Sequence, residues 1–265
     1  MDTNIGSFSL AQFLPPFHEI KLPSAGFFDQ DIPETVNVRA LTVKELKHIT
    51  ANGKFDRKVF DSTLTACIKE SINISKLTIE DYNYIVYMIR LYSNGSKITT
   101  VKVCDNPNCR NQFTFEYDIA ECASVEYATE HLDKTKTVNL PRFQEEHKLD
   151  INIEVKRLTR KDILAIENTL KIQTELAAKD SDRDNKRSVF PLIEYLKAYI
   201  VSITGFPVPV PKDQVLDILS TADAELITTA FDDIVFGVKG EVETECPFCQ
   251  KMNTYNIPFT DIFFL

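Results

Sequence analysis

Cys246-Pro247-Phe248-Cys249 and Cys104-Asp105-Asn106-Pro107-Asn108-Cys109 are the two stretches that organise this sequence. Each is a short loop that can aim two thiols at one point. Together they offer four thiolates, the usual complement of a structural zinc site. The pairs lie too far apart in the chain for an ordinary zinc finger, so they form one site only if the fold brings them together. Each loop is flanked by segments that read as strands, Lys97 to Val103 and 112–117 around the first, and the residues on either side of Cys246 and Cys249 around the second. That is the hairpin form of a zinc ribbon. Asn106 and Asn108 suit a tight turn whose amides point at thiolate sulfur.

An offset of 142 positions carries Asp81 to Asp223, Ile85 to Ile227, Gly95 to Gly237 and Cys104 to Cys246. At shorter offsets Val38-Arg39-Ala40-Leu41-Thr42-Val43-Lys44-Glu45 matches Val155-Lys156-Arg157-Leu158-Thr159-Arg160-Lys161-Asp162, and Val59-Phe60 matches Val189-Phe190. The common order points to an internal duplication, with insertions at loops, where a fold tolerates them. Two copies packed about an approximate two-fold axis would set the cysteine loops face to face. The expected fold class is α+β: duplicated helical units with short strands, joined by a four-cysteine zinc ribbon made of two strand–loop–strand knuckles. The expected divisions are an extended aromatic and proline-rich arm over 1–35, a first repeat over 36–120, a connection over 121–150 and a second repeat over 151–265.

Local signals fill in the units. Residues 36–40 alternate as a strand, and Thr42 to Glu45 forms a capping box that opens a helix. Further helices are expected over 57–71, from Thr78 to Asn94, from Thr159 to about Leu176, from Val189 to Ile203, over 214–220 and over 221–236, the last closed by Gly237. Residues 151–157 alternate as a strand, 179–188 form a charged linker and 206–211 an extended proline segment. Cys67 falls on an apolar helical face and reads as a buried core thiol. His131 and His147 read as solvated surface residues, and Asp232-Asp233 as a solvated pair on a helix.

Composition bounds the function. The chain has 265 residues, 43% of them hydrophobic and 10% aromatic, enough for a substantial core. A net charge of −9 argues against nucleic-acid binding, which needs a basic face; the basic cluster Lys156, Arg157, Arg160 and Lys161 is small. Six cysteines are too few for a disulfide scaffold. Neither a signal peptide nor an apolar run of about 18 residues is visible, so a soluble protein made and kept in a cytoplasm, without membrane contact, is expected. No nucleophile elbow, phosphate-binding glycine loop or HExxH motif occurs, and only seven glycines are present. No catalytic residue is nominated.

Leu22-Pro23-Ser24-Ala25-Gly26, the run Val36 to Glu45, the two cysteine loops and the ending Ile257-Pro258-Phe259-Thr260-Asp261-Ile262-Phe263-Phe264 resemble the baseplate hub proteins of T4-type contractile-tailed bacteriophages. The resemblance implies a role in virion assembly, as a hub subunit or hub-assembly factor, not a catalyst. It implies partners among hub and tail proteins, the tape measure included, and a location in the host cytoplasm during assembly or in the tail baseplate. The residues support one structural Zn2+ per chain held by Cys104, Cys109, Cys246 and Cys249, with loss of the metal or an iron–sulfur occupant as the remaining options. Two further functions compete: a zinc-ribbon adaptor for nucleic acid or a polymerase, and a thiol oxidoreductase using Cys246 and Cys249. The aromatic segments 1–35 and 259–265 are candidate docking surfaces. Oligomeric state is left open.

Overall fold

The computed structural model describes residues 13–49, 57–179, 191–259 and 262. Strand β1 (His18–Lys21) pairs antiparallel with β2 (Thr35–Val38), Ile20 opposite Val36. Strand β1 thus lies within the stretch expected to be irregular. Leu22, Phe28 and Ile32 behind it are buried, whereas Phe13, Phe17 and Phe27 are exposed; Phe8 lies outside the described residues. Helix α1 (Val43–Ile49) opens on the expected capping box: Thr42 N donates to Glu45 Oε2 at 2.7 Å and Glu45 N to Thr42 Oγ1 at 3.3 Å. Helix α2 (Arg57–Ala66) stops short of its expected end, because Ile68 leaves it to bridge Val38.

A 3-10 turn (Ile74–Lys76) leads into α3 (Ile79–Asn94), capped by Thr78 and stopped by Gly95 at φ 73°. Strands β3 (Lys97–Val103) and β4 (Gln112–Asp118) then form the first cysteine hairpin. Short elements α4 (Ile119–Cys122), β5 (Ala123–Glu126), β6 (Thr135–Asn139) and α5 (Pro141–His147) follow, in a stretch read from sequence as a short amphipathic piece and a connection. Next come β7 (Asn152–Lys156), α6 (Arg160–Lys179), α7 (Pro191–Tyr199), β8 (Ile200–Thr204), α8 (Lys212–Leu216), α9 (Thr221–Thr228), and the second cysteine hairpin, β9 (Gly237–Glu245) with β10 (Met252–Asn256).

Two more expected helices also end early, and contacts in the structure show why. The helix expected to reach Ile203 stops at Tyr199, because the β-branched run Ile200-Val201-Ser202-Ile203-Thr204 pairs with β7 instead. The helix expected to reach Phe236 stops at Thr228: Thr228 and Thr229 turn their hydroxyls back on the carbonyls of Ala224 and Glu225. Gly237, at φ 107°, therefore opens a strand and does not cap a helix, and Asp232-Asp233 sit in the turn after α9.

The strands fall into four small antiparallel sheets, β1-β2, β3-β4, β6-β7-β8 and β10-β9-β5, in a mixed α/β molecule. Among the described residues, two large apolar cores and two smaller clusters hold them. The larger surrounds α3: Tyr82, Ile85, Val86 and Ile89 pack with Phe60 and Leu64 of α2, but also with Val238 and Val242 of β9 and with Ile257, Phe259 and Ile262. Phe259 meets Tyr87 edge-on at 5.5 Å, so this part of the C-terminal segment docks on the first half of its own chain. The smaller core lies between the β6-β7-β8 sheet and helices α5, α7 and α9, filled by Ile153, Val155, Leu196, Ile227 and Phe231.

A buried ion pair joins the halves. Arg160, 1% exposed, places Nε 3.0 Å from Asp61 Oδ2 and Nη2 3.1 Å from Oδ1, while Tyr82 donates its hydroxyl to the same carboxylate at 2.7 Å. The Arg160 guanidinium also lies over the Tyr82 ring, 4.3 Å from its centre. With Arg157 buried as well and Lys156 paired with Asp162 at 2.6 Å, the basic cluster of the sequence is largely consumed internally.

Candidate metal centre

The β3-β4 and β9-β10 hairpins meet at their tips. In the first loop Cys104 N donates to Asn111 O at 2.9 Å, and Cys109 N to Asn106 O at 3.0 Å. In the second, Cys246 N donates to Lys251 O at 3.0 Å, and Gln250 N to Cys246 O at 2.8 Å. Each loop turns out of its second cysteine through a left-handed residue, Arg110 at φ 51° and Gln250 at φ 61°. These turns fold the thiols of each loop back toward its partner. The loops differ in length, four residues between cysteines in one and two in the other, yet both reach the same closure.

All four Sγ atoms, of Cys104, Cys109, Cys246 and Cys249, lie within 4.8 Å of one another. The close approaches cross between the loops: Cys104 to Cys249 at 3.6 Å and Cys109 to Cys246 at 3.9 Å. Four sulfurs about 2.3 Å from a central zinc stand about 3.8 Å apart along each edge of the tetrahedron, so the observed spacings suit such an ion. They are far beyond the bond length of a disulfide, about 2.05 Å, and all four thiols are free. Cys104 and Cys246 are fully buried, and Cys109 and Cys249 are partly exposed.

The donor set around the sulfurs favours thiolate. Asn106 gives its backbone N–H to Cys104 Sγ at 3.4 Å and its side-chain amide to Cys249 Sγ at 3.6 Å; Asn111 gives its amide to Cys109 Sγ at 3.6 Å. The backbone N–H of Lys251, with Asn106, brings the Cys249 thiol down to about 7, while burial pushes Cys104 up to about 11. Four convergent sulfur donors, two buried and two partly exposed, are what a soft divalent cation completes. Asn108, expected to point at sulfur, instead donates its backbone N–H to Asn106 Oδ1 and holds the turn.

The groups that dock one hairpin on the other were not singled out in the sequence. Asn253, 2% exposed on β10, accepts from Asp105 N at 2.7 Å and donates to Lys251 O at 2.7 Å, tying both loops together. Lys102 reaches across from β3 to Thr254 O at 2.7 Å. The one local signal was an asparagine at an inward position of an otherwise alternating strand. Phe113 covers the buried side of the cluster with Cys104 and Cys246.

Other residues noted in the sequence lie apart from the centre. Cys67 is buried in the larger core, and desolvation pushes its thiol up to about 12. His131 and His147 are at the surface. Among the described residues these four cysteines are the group of metal-binding side chains that comes together, and no helix is long and apolar enough to cross a membrane.

A mixed α/β chain whose two hairpins converge on a compact four-thiol cluster belongs to the class of proteins with a candidate structural metal centre. The chain itself belongs to the T4 bacteriophage base plate protein family, whose sequence profile matches residues 16–264. No curated protein and no solved structure gives a significant match. Membership makes this a phage baseplate structural component, with other phage tail or baseplate proteins as its partners.

Proposed function

We propose that the chain is a structural or assembly component of the baseplate hub, and that it works by docking to hub and tail proteins, the tape measure among them, with no reaction of its own. One Zn2+ held by Cys104, Cys109, Cys246 and Cys249 makes its two halves one rigid body. The observation that carries the metal is the convergence of four sulfurs, two from each half, within 4.8 Å. A zinc ion with four thiolates is coordinatively full and activates no water, so its work is mechanical. The redox alternative draws no support from the loops, because Cys246 and Cys249 sit between two strands and not at a helix N-terminus.

The same geometry favours an internal duplication, with one repeat over 36–120 and a second over 151–265. In each half a strand leads to a capping box whose N3 carboxylate also binds a basic residue just upstream: Arg39 with Glu45 at 2.6 Å, and Lys156 with Asp162 at 2.6 Å. In each, the strand pairs with the chain leaving the second helix after it, Val38 with Ile68 beyond α2 and Val155 with Ile200 beyond α7. In each, the helix before the cysteine hairpin is capped by a hydroxyl bound to the N–H of a buried aspartate, Thr78 with Asp81 and Ser220 with Asp223.

The test is metal content. Protein purified without chelator is expected to carry one zinc per chain by elemental analysis and native mass spectrometry. Stripping it should lower the melting temperature, and zinc should restore it. Two metals per chain, or none, would falsify the shared site. Docking is tested separately, by co-purification of the tagged chain with hub and tail proteins from infected cells.

A further inference from the structure

A second feature lies away from the metal. A cleft of about 690 Å³ opens where the start of α3 meets the second half of the chain. Its walls are Ile79 and Glu80 of α3, Tyr195 and Tyr199 of α7, and the turn carrying Phe231 and Phe236. Arg157 also lines it. The guanidinium of Arg157 lies 4.5 Å from the centre of the Phe231 ring and 5.6 Å from that of Phe236. Its Nε donates to Asp133 O at 3.2 Å, but its Nη2 is buried without a hydrogen-bond partner, in a side chain only 8% exposed. Arginine cannot shed its charge to escape burial, and an unpaired buried donor is uncommon enough in native proteins to require a reason.

We propose that this cleft receives the carboxylate of an acidic side chain, flanked by apolar residues, from an extended segment of another baseplate protein. A planar carboxylate matches the guanidinium fork. The apolar and tyrosine walls suit its neighbours, and the volume falls in the range of built ligand pockets. Lys239 also lines the cleft and adds a second cation, which a singly charged carboxylate can share; a phosphate dianion fits less well, because Glu80 and Asp232 line the cleft too and would repel a double charge more strongly. Glu80 need not oppose a carboxylate: burial raises its own carboxyl above the ordinary range, toward the neutral form that can donate a hydrogen bond. Its place is set by Gly237, where a Cβ would come within 2.8 Å of the Glu80 Cβ.

This inference rests on the docking reading above, but its test is independent of it. Purified chain, with its metal content measured first, is dialysed against a pool of blocked tetrapeptides carrying glutamate between apolar residues, and against the matching glutamine pool. Retained peptide is read by mass spectrometry. The glutamate pool should be held at least about tenfold better than the glutamine pool, and Arg157→Met should abolish the difference. Glu80→Gln, a gentle change that copies the neutral carboxyl, should keep or strengthen binding. Equal retention of both pools, no retention, unchanged binding by Arg157→Met, or full displacement by phenylacetate at equal concentration would each overturn the proposal. Failure in fully metallated protein strikes the cleft alone, whereas failure to co-purify with hub and tail proteins strikes the docking role.

Discussion

Glu45 shows how one side chain can make a local signal structural. It caps α1, accepts from Thr42 and pairs with Arg39, whose guanidinium is 5% exposed and also bonds the carbonyls of Ala40 and Ala66. The Arg39 guanidinium beside it holds the Glu45 carboxyl at about 2, well below its ordinary 4.5. A folded-state value below the unfolded one means that this stabilisation is fully present above about pH 4.5 and is lost as pH falls toward 2. Glu45→Gln should therefore lower stability at neutral pH by on the order of 1–2 kcal/mol. The gap to wild type should close near the low end of that window. Urea titrations at stepped pH would check this; a gap that stays constant with pH would refute the ionic origin.

At the scale of elements, the two cysteine hairpins work as a pair. Each supplies one fully buried thiol, Cys104 or Cys246, and one partly exposed thiol. Cys104→Ser and Cys246→Ser should lower the melting temperature equally and each abolish zinc binding, since either opens the same site. Unequal effects in thermal scans would mean that the loops act alone. The strands flanking the loops, and the helix starts at Thr42, Thr78 and Thr159, were legible in the sequence, because alternation, caps and turn residues are local. Helix ends were less so: Ile200 to Thr204 carries apolar spacing that suits a helix or a strand, and only the presence of β7 decides between them. The two cysteine pairs that the fold brings within 4.8 Å of one another were legible from their spacing. Asn253, Lys102 and the Asp61–Arg160 pair were not, because each is defined by a partner far away in the chain.

For the molecule as a whole, the thiol cluster, the larger core and the buried ion pair all join the first part of the chain to the second. The ion pair is the most exposed to substitution. Asp61→Ala would leave the Arg160 guanidinium charged and 1% exposed, with its two-pronged partner gone and the Glu167 carboxylate 3.9 Å away, a loss of about 3–5 kcal/mol. Adding Arg160→Met should recover more than half of it, because an apolar chain of similar length tolerates the site. Chemical denaturation of the single and double variants would decide, and a double variant no better than the single would show that the arginine has other work there.

The larger core also sets a timetable for synthesis. Helix α3 emerges early, yet five of the side chains that cover it, Val238, Val242, Ile257, Phe259 and Ile262, are translated only after the whole stretch from residue 95 to residue 237. Folding of the first half therefore waits for β9 and the segment after β10, and a ribosome-arrested chain stopped at residue 150 should be readily cleaved by protease within α3 while the 265-residue chain resists. Such an arrangement keeps an unfinished chain from presenting the assembled surface of the finished fold.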